Sequence, residues 1–261
     1  MKILILVVAT HIGPYGEDLR VQENTLGTIK HPDVKVFWVI AGANQAELRN
    51  NRLYLPIEEK FGNILMKSVL AIKYLDEEFN PDFIIRSNTS SYFNLIKVKR
   101  LCEKLMQNNF DFGGYLETYK VNSEQQGEER FVNGSGIYLA RKAINLIKEI
   151  DINHYANTPD DVAITLYLKD AGLKATEIKR NNICYHHIFV PRAHSRVKSF
   201  NNPSLTRDRM RLIHDFTITK SIVRKIRLWL NIFANEVRNS NISKANTFYY
   251  LKKMGSGGFK P

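Results

Sequence analysis

Two adjacent carboxylates, Asp160 and Asp161, stand directly behind a proline in the run Thr158-Pro159-Asp160-Asp161-Val162. Thr158 reads as an N-cap and Pro159 as a first helical residue, which puts both acids in a first turn, where the helix dipole favours negative charge. A carboxylate so placed can act as a general base. It can also serve only the helix, since capping aspartates contribute about 0.5 to 1 kcal/mol there. Upstream, Asn133-Gly134-Ser135-Gly136 reads as a turn whose glycines let backbone approach a ligand closely, with Asn133 and Ser135 offering hydrogen bonds. Arg86-Ser87-Asn88-Thr89 closes an apolar run; a guanidinium there can pair with phosphate oxygens bidentately or stand as a solvated strand-end residue. Thr10, His11 and Arg20 follow the first apolar run, at the edge where open α/β sheets bind nucleotides, so base or ribose contacts are expected from them. His186 and His187 are adjacent on a predicted strand and point to opposite faces, so only one can face a cleft. Arg192, Arg196 and Lys198 form a basic loop after them.

The elements that must position these groups alternate. Lys2 to Ala9, Val34 to Ala41 and Phe83 to Ile85 are short apolar runs of the kind buried on both faces of a parallel sheet. Leu19 to Ile29 has helical spacing, and Phe61, Ile64, Leu65, Val69, Ile72 and Leu75 mark one helix face that ends near Asn80-Pro81. Strands alternating with helices are the signature of a Rossmann-like nucleotide-binding half. Further on, the pattern predicts a helix over Leu95 to Leu105, an extended Phe110 to Tyr119, a polar loop from Lys120 to Arg130 and helical spacing from Tyr138 to Ile150. A helix from Pro159 to Ala171-Gly172 follows, then strands at Leu173 to Ile178 and Ile183 to His187.

With 261 residues, 44% hydrophobic and 25% charged, the chain is expected to form one α/β domain over residues 1–216 with a basic appendage over 217–261. The net charge of +12 is concentrated in that appendage, which carries nine bases and one acid. Within it Ile222, Ile226, Trp229, Leu230 and Phe233 share a helical face opposite Lys220, Arg224 and Arg227, a pattern suited either to an anionic membrane surface or to packing on the domain. No nucleic-acid-binding motif accompanies the charge, so nucleic acid is not an expected partner. Cys102 and Cys184 have no spacing that suggests a disulfide framework or a metal knuckle. The apolar start is too short to span a bilayer. The expected location is the cytoplasm, with peripheral contact at the inner face of the membrane.

The order of these pieces resembles the fringe-like β-1,3-glycosyltransferases, which have the GT-A fold. The resemblance rests on Phe61-Gly62-Asn63 to Phe79, Ile84 to Ser91, Gly134-Ser135-Gly136-Ile137-Tyr138-Leu139-Ala140-Arg141, Pro159-Asp160-Asp161-Val162-Ala163-Ile164 and Tyr185-His186-His187, covering roughly Lys2 to Val190. It implies a mixed sheet flanked by helices and an inverting transfer from a nucleotide sugar, a UDP-sugar by analogy, to a glycan or lipid-linked acceptor of the surface-polysaccharide or lipopolysaccharide kind. Asp161 would be the base, with Asp160 orienting the acceptor or replacing it. Arg86, Ser87, Asn88 and Thr89 would lie at the donor, and Asn133 to Gly136 at sugar or acceptor. The chain departs from the family at its Asp-x-Asp motif, which holds a divalent cation on the donor diphosphate. Ser87-Asn88-Thr89 has no carboxylate for that purpose. Either no metal is required and His187, Arg192 and Arg196 meet the diphosphate, or a weakly bound Mn²⁺ or Mg²⁺ is held by His186 or His187. A second reading is a non-catalytic glycan-binding or scaffold protein derived from such a transferase. A hydrolase built on the acids and histidines has no recognised ligand spacing.

Overall fold

The computed structural model describes residues 1–120, 128–156, 158–182, 193–197 and 203–218. Its first strand, β1 (Ile3–Val8), pairs in parallel with β2 (Val34–Ala41) on one side and β5 (Phe83–Asn88) on the other. Every residue from Ile3 to Val7 is fully buried. Such continuous apolar strands are what a sheet covered on both faces demands, and each large side chain contributes about 1.5 to 3 kcal/mol by leaving water. A small hairpin, β3 (Glu47–Arg49) and β4 (Arg52–Leu55), extends the edge beside β2; Asn50 and Asn51 adopt positive φ in its two-residue turn.

On the far side of β5 the sheet turns antiparallel through β8 (Glu128–Ala140) and β7 (Phe112–Lys120), and ends on β9 (Ala175–Glu177), parallel to β7. The eight-strand order is β3-β4-β2-β1-β5-β8-β7-β9. A three-stranded sheet joins β6 (Ser91–Phe93), β10 (Asn181–Asn182) and β11 (His194–Arg196). Helices cover both faces. One core cluster packs α1 (Pro14–Thr25), α3 (Leu95–Gln107) and α6 (Pro203–Ile218) on the sheet; the other packs α2 (Ile64–Phe79), α4 (Arg141–Ile147) and α5 (Asp160–Asp170). Among the described residues no helix is long and apolar enough to cross a membrane.

Several boundaries differ from expectation. The run Asn133 to Gly136 lies inside β8, and Tyr138 to Ala140 is strand, with the helix beginning only at Arg141. Ile137, Tyr138 and Leu139 alternate between the two core clusters, so all three are apolar and period alone could not separate strand from helix there. Helix α5 starts one residue later than predicted: Pro159 is its N-cap and makes no side-chain cap bond, so Thr158 does not cap it. Helix α1 begins earlier, at Pro14, and the strand predicted over Leu173 to Ile178 is confined to Ala175–Glu177. The predicted strand Ile183 to His187 and the tail from 219 onward, with its amphipathic segment, lie outside the described residues.

Two buried polar contacts tie α1 to the rest. Gln22 accepts a hydrogen bond from Trp38 Nε1 of β2 (2.8 Å) and donates to the Ser91 carbonyl (2.7 Å), spanning the cluster from β2 to β6. Against α6, Asp18 lies 3.6 Å from Arg207, which is also paired with Glu17 at 2.9 Å. Asp18 Oδ1 has no hydrogen-bond partner, and burial pushes its carboxyl from the ordinary 3.8 up to about 6, against the pull of Arg207.

The folded state therefore binds the Asp18 proton more tightly than the unfolded chain does. The stability linked to that proton is fully present below pH about 3.8 and is lost as pH rises through about 6. Asp18→Asn removes the costly charge and leaves Arg207 its partner Glu17. It should raise the melting temperature by about 2 °C or more at pH 8, and the gain should shrink through pH 6 and vanish only at about pH 3.5. A gain of equal size at the two ends of that range in thermal denaturation would assign it to another cause.

Candidate active site

The candidate site is built around a local failure of strand pairing. Between β7 and β8 the register moves from Gly114 opposite Ile137 to Leu116 opposite Val132, so Asn133, Gly134, Ser135 and Gly136 face Tyr115 alone. A bulge of this kind releases backbone groups from the ladder and re-aims the strand. Because β8 runs antiparallel to β5, with Gly136 opposite Ser87, the bulge sits at the carboxyl ends of β1, β2 and β5. This is the margin at which open α/β sheets receive ligands.

Side chains satisfy the freed groups one by one. The Gly134 N–H donates to Asp161 Oδ2 at 2.8 Å, and the Gly134 carbonyl accepts from Arg86 Nη1 at 2.5 Å. The Ser135 N–H donates to Asn133 Oδ1 at 2.9 Å, while the Ser135 carbonyl accepts from the Ser87 and Ser91 hydroxyls. A Cβ at Gly134 would stand 2.5 Å from Arg86 Nη1 and 3.0 Å from Asp161 Oδ2, so only glycine fits between the guanidinium and the carboxylate. At Gly136 a Cβ would meet the His194 ring at 2.5 Å.

Helix α5 docks on this strand by matched spacing. Val132 N–H donates to Thr165 Oγ1 at 3.0 Å, and two residues further on Gly134 N–H donates to Asp161. Four helical residues rise about 6 Å and two strand residues advance about 6.6 Å, so the two bonds form together. The second Asp161 oxygen accepts from the Val162 N–H at 3.0 Å. Each oxygen keeps a lone pair, and the carboxylate is fixed at the helix start against the bulge.

The two adjacent acids have different surroundings. Asp160 is paired with Arg86 at 2.5 Å, with side-chain exposures of 12% and 5%, and also accepts from the Ser68 hydroxyl at 3.3 Å. Burial pushes the Asp160 carboxyl above its ordinary value, opposed by Arg86 and reinforced by Asp161. Arg86 thus directs its guanidinium inward, to Asp160, Gly134 and Ser68.

A second guanidinium, Arg180, grips the bulge from the other side, and nothing in its local sequence marks it. Arg180 Nη1 donates to Asn133 Oδ1 at 2.7 Å and to the Ser135 hydroxyl; Nη2 pairs with Glu117 at 3.1 Å, and the group lies 4.1 Å over the Tyr115 ring. Its side chain is 1% exposed, and burial, aided by Arg196, lowers its pKa to about 10, so it stays cationic at neutral pH. Arg196 shares the same acid at 3.6 Å. Between Phe93, on which it stacks at 4.6 Å, and Gly136 lies His194, held neutral by burial and by both arginines at a pKa of about 3.

Of the residues singled out by sequence, Asp160, Asp161, Arg86, Ser87, Asn88, Asn133, Gly134, Ser135, Gly136 and Arg196 meet around the bulge. Thr89 is buried just beyond β5. Thr10 lies in the loop after β1, its hydroxyl accepting from the Ile12 N–H at 3.1 Å, and His11 is exposed beside it. Arg20 is exposed halfway along α1. His186, His187 and Arg192 lie outside the described residues. At the end of β5 the donor set does not fit a divalent cation: Ser87 is bound to Ser135, and Asn88 Oδ1 accepts from the Ser90 N–H and hydroxyl. Among the described residues no group of three or more His, Cys, Asp or Glu could hold a metal ion.

No protein-family model matches the chain, and no curated protein matches it. Among solved structures it is similar to a glycosyltransferase involved in the glycosylation of the major capsid of PBCV-1, with a TM-score of 0.53 at 10% sequence identity over 81% of this chain and 100% of that one. S. aureus TarS aligns with a TM-score of 0.44 at 13% identity over 95% of this chain, which spans 45% of that one. At such identities the likeness is one of fold: the mixed α/β sheet flanked by helices has the architecture of a known glycosyltransferase structure.

Proposed function

We propose that the chain is an inverting glycosyltransferase of fringe-like type, moving a sugar from a UDP-sugar to a glycan or lipid-linked acceptor with Asp161 as its base. The observation that carries this reading is the Asp161 carboxylate, held by the Gly134 and Val162 N–H groups at the carboxyl margin of the sheet. The acceptor hydroxyl gives its proton to that carboxylate as its oxygen bonds to the anomeric carbon. The bond from that carbon to the donor's diphosphate oxygen breaks on the opposite face, and the nucleoside diphosphate leaves with the electron pair. Asp160, committed to Arg86, holds the frame in which Asp161 works.

Charge on the leaving diphosphate is met by protein cations in this reading. Arg180 and Arg196 both pair with Glu117 beside the bulge, and guanidinium groups suit phosphate oxygens. The nine bases of the tail suit attraction to anionic lipid, about 1 kcal/mol for each base near the surface, and so a lipid-linked acceptor in surface-glycan synthesis at the inner face of the membrane. The lack of any carboxylate in Ser87-Asn88-Thr89 favours a second reading, a glycan-binding scaffold without catalysis.

Release of UDP from a panel of UDP-sugars, followed with purified protein and candidate glycan acceptors, tests the proposal. Asp161→Asn should lower turnover by about 10²- to 10⁴-fold and leave the donor dissociation constant unchanged, whereas unchanged turnover would exclude Asp161 as the base. Asp160→Asn, in contrast, strands the buried Arg86 charge and should lower the melting temperature clearly. Transfer should persist in excess chelator; abolition by chelator, with recovery on adding Mn²⁺, would overturn the metal-free version.

A further inference from the structure

A buried ammonium and a half-buried carboxylate lie at the same sheet margin with no part in the chemistry above. Lys67, on the first turn of α2, is 2% exposed, and its ammonium donates to the carbonyl of Ala9, just past β1, at 2.8 Å. It also bonds both oxygens of Glu59, at 2.6 and 2.7 Å. Glu59 Oε2 accepts in addition from the N–H of Ala41, the last residue of β2, at 3.1 Å. The pair therefore bridges the carboxyl ends of β1 and β2. Burial lowers the Lys67 pKa and the bonds to Glu59 oppose that.

Such a pair is a poor device for stability, because taking two charges out of water costs about as much as their attraction returns, and apolar residues of similar size would pack as well. What it does achieve is orientation. The Glu59 side chain is 19% exposed, so it is held from beneath and open above. Oε1 takes one hydrogen bond and keeps an acceptor site. It stands at the carboxyl ends of β1 and β2, next to the point between β1 and β5 where the strand order reverses, on the margin at which α/β sheets seat nucleotides.

Resting on the reading of the chain as a nucleotide-sugar transferase, we propose that Glu59, set by Lys67, accepts a hydrogen bond from a ribose hydroxyl of the donor. The site would thereby select a ribonucleoside diphosphate over its deoxy counterpart, because a ligand that lacks the hydroxyl would cover the open acceptor site of Glu59 Oε1 without bonding to it.

Isothermal titration of the full chain with UDP and with 2′,3′-dideoxy-UDP tests this. The wild type should bind UDP more tightly by about tenfold or more. Glu59→Gln should lose most of that preference. The paired change Glu59→Leu with Lys67→Met, which removes the buried ion pair as a unit, should lose it as well, and this covers the case in which the single variant fails to fold. Equal binding of the two ligands by the wild type would overturn the inference while leaving the transferase reading intact. So would a preference that survives in the folded variants. Failure of the wild type to bind UDP at all would remove both.

Discussion

A strand that leaves its ladder for four residues strands backbone donors and acceptors in a place where water cannot reach them, and every one has to find a partner. At Gly134 and Ser135 that requirement is met by side chains from β5, β6 and α5 and by the neighbouring Asn133. Two arginines dominate. Arg86 takes the carbonyl of Gly134 from one side, and Arg180 takes the side chains of Asn133 and Ser135 from the other. Each brings its own acid, Asp160 or Glu117, so that neither guanidinium is buried without a counter-charge. The position of Asp161 is a result of this arrangement, since the N–H that anchors it belongs to the clamped glycine.

Buried ion pairs of this sort add little net stability and are costly only when half removed. Their value here lies in specification. With both clamps in place the bulge has one conformation, α5 has one register on β8, and the two aspartates are assigned different tasks although they are neighbours in the chain. Asp160 is committed to Arg86, whereas both Asp161 oxygens take only backbone bonds.

Much of this was legible in the amino-acid order. The apolar runs Ile3 to Val8, Val34 to Ala41 and Phe83 to Ile85 announce strands covered on both faces, and the spacing from Ile64 to Leu75 announces the helix between two of them. Asn133-Gly134-Ser135-Gly136 was conspicuous, yet glycine and asparagine mark a turn and a bulge alike, and the choice between them is made by Tyr138 and Leu139 packing on opposite faces of a sheet. Arg180 and Glu117 are 63 positions apart and carry no local mark; their pairing exists only because β7 and β9 are neighbours. Lys67 lies on a helix face that reads as amphipathic, and its burial follows from its reach to the end of β1. Contacts set by topology leave no periodic trace, which is why the core was foreseeable and the clamps were not.

The amide of Gln22 acts as a cross-brace. It links the indole of Trp38 in β2 to the main chain at Ser91, the start of β6, and so ties two elements of the sheets to one helix, α1. Elements already bolted together have little freedom left to lose, so a ligand bound against them would spend little of its binding energy on ordering its host.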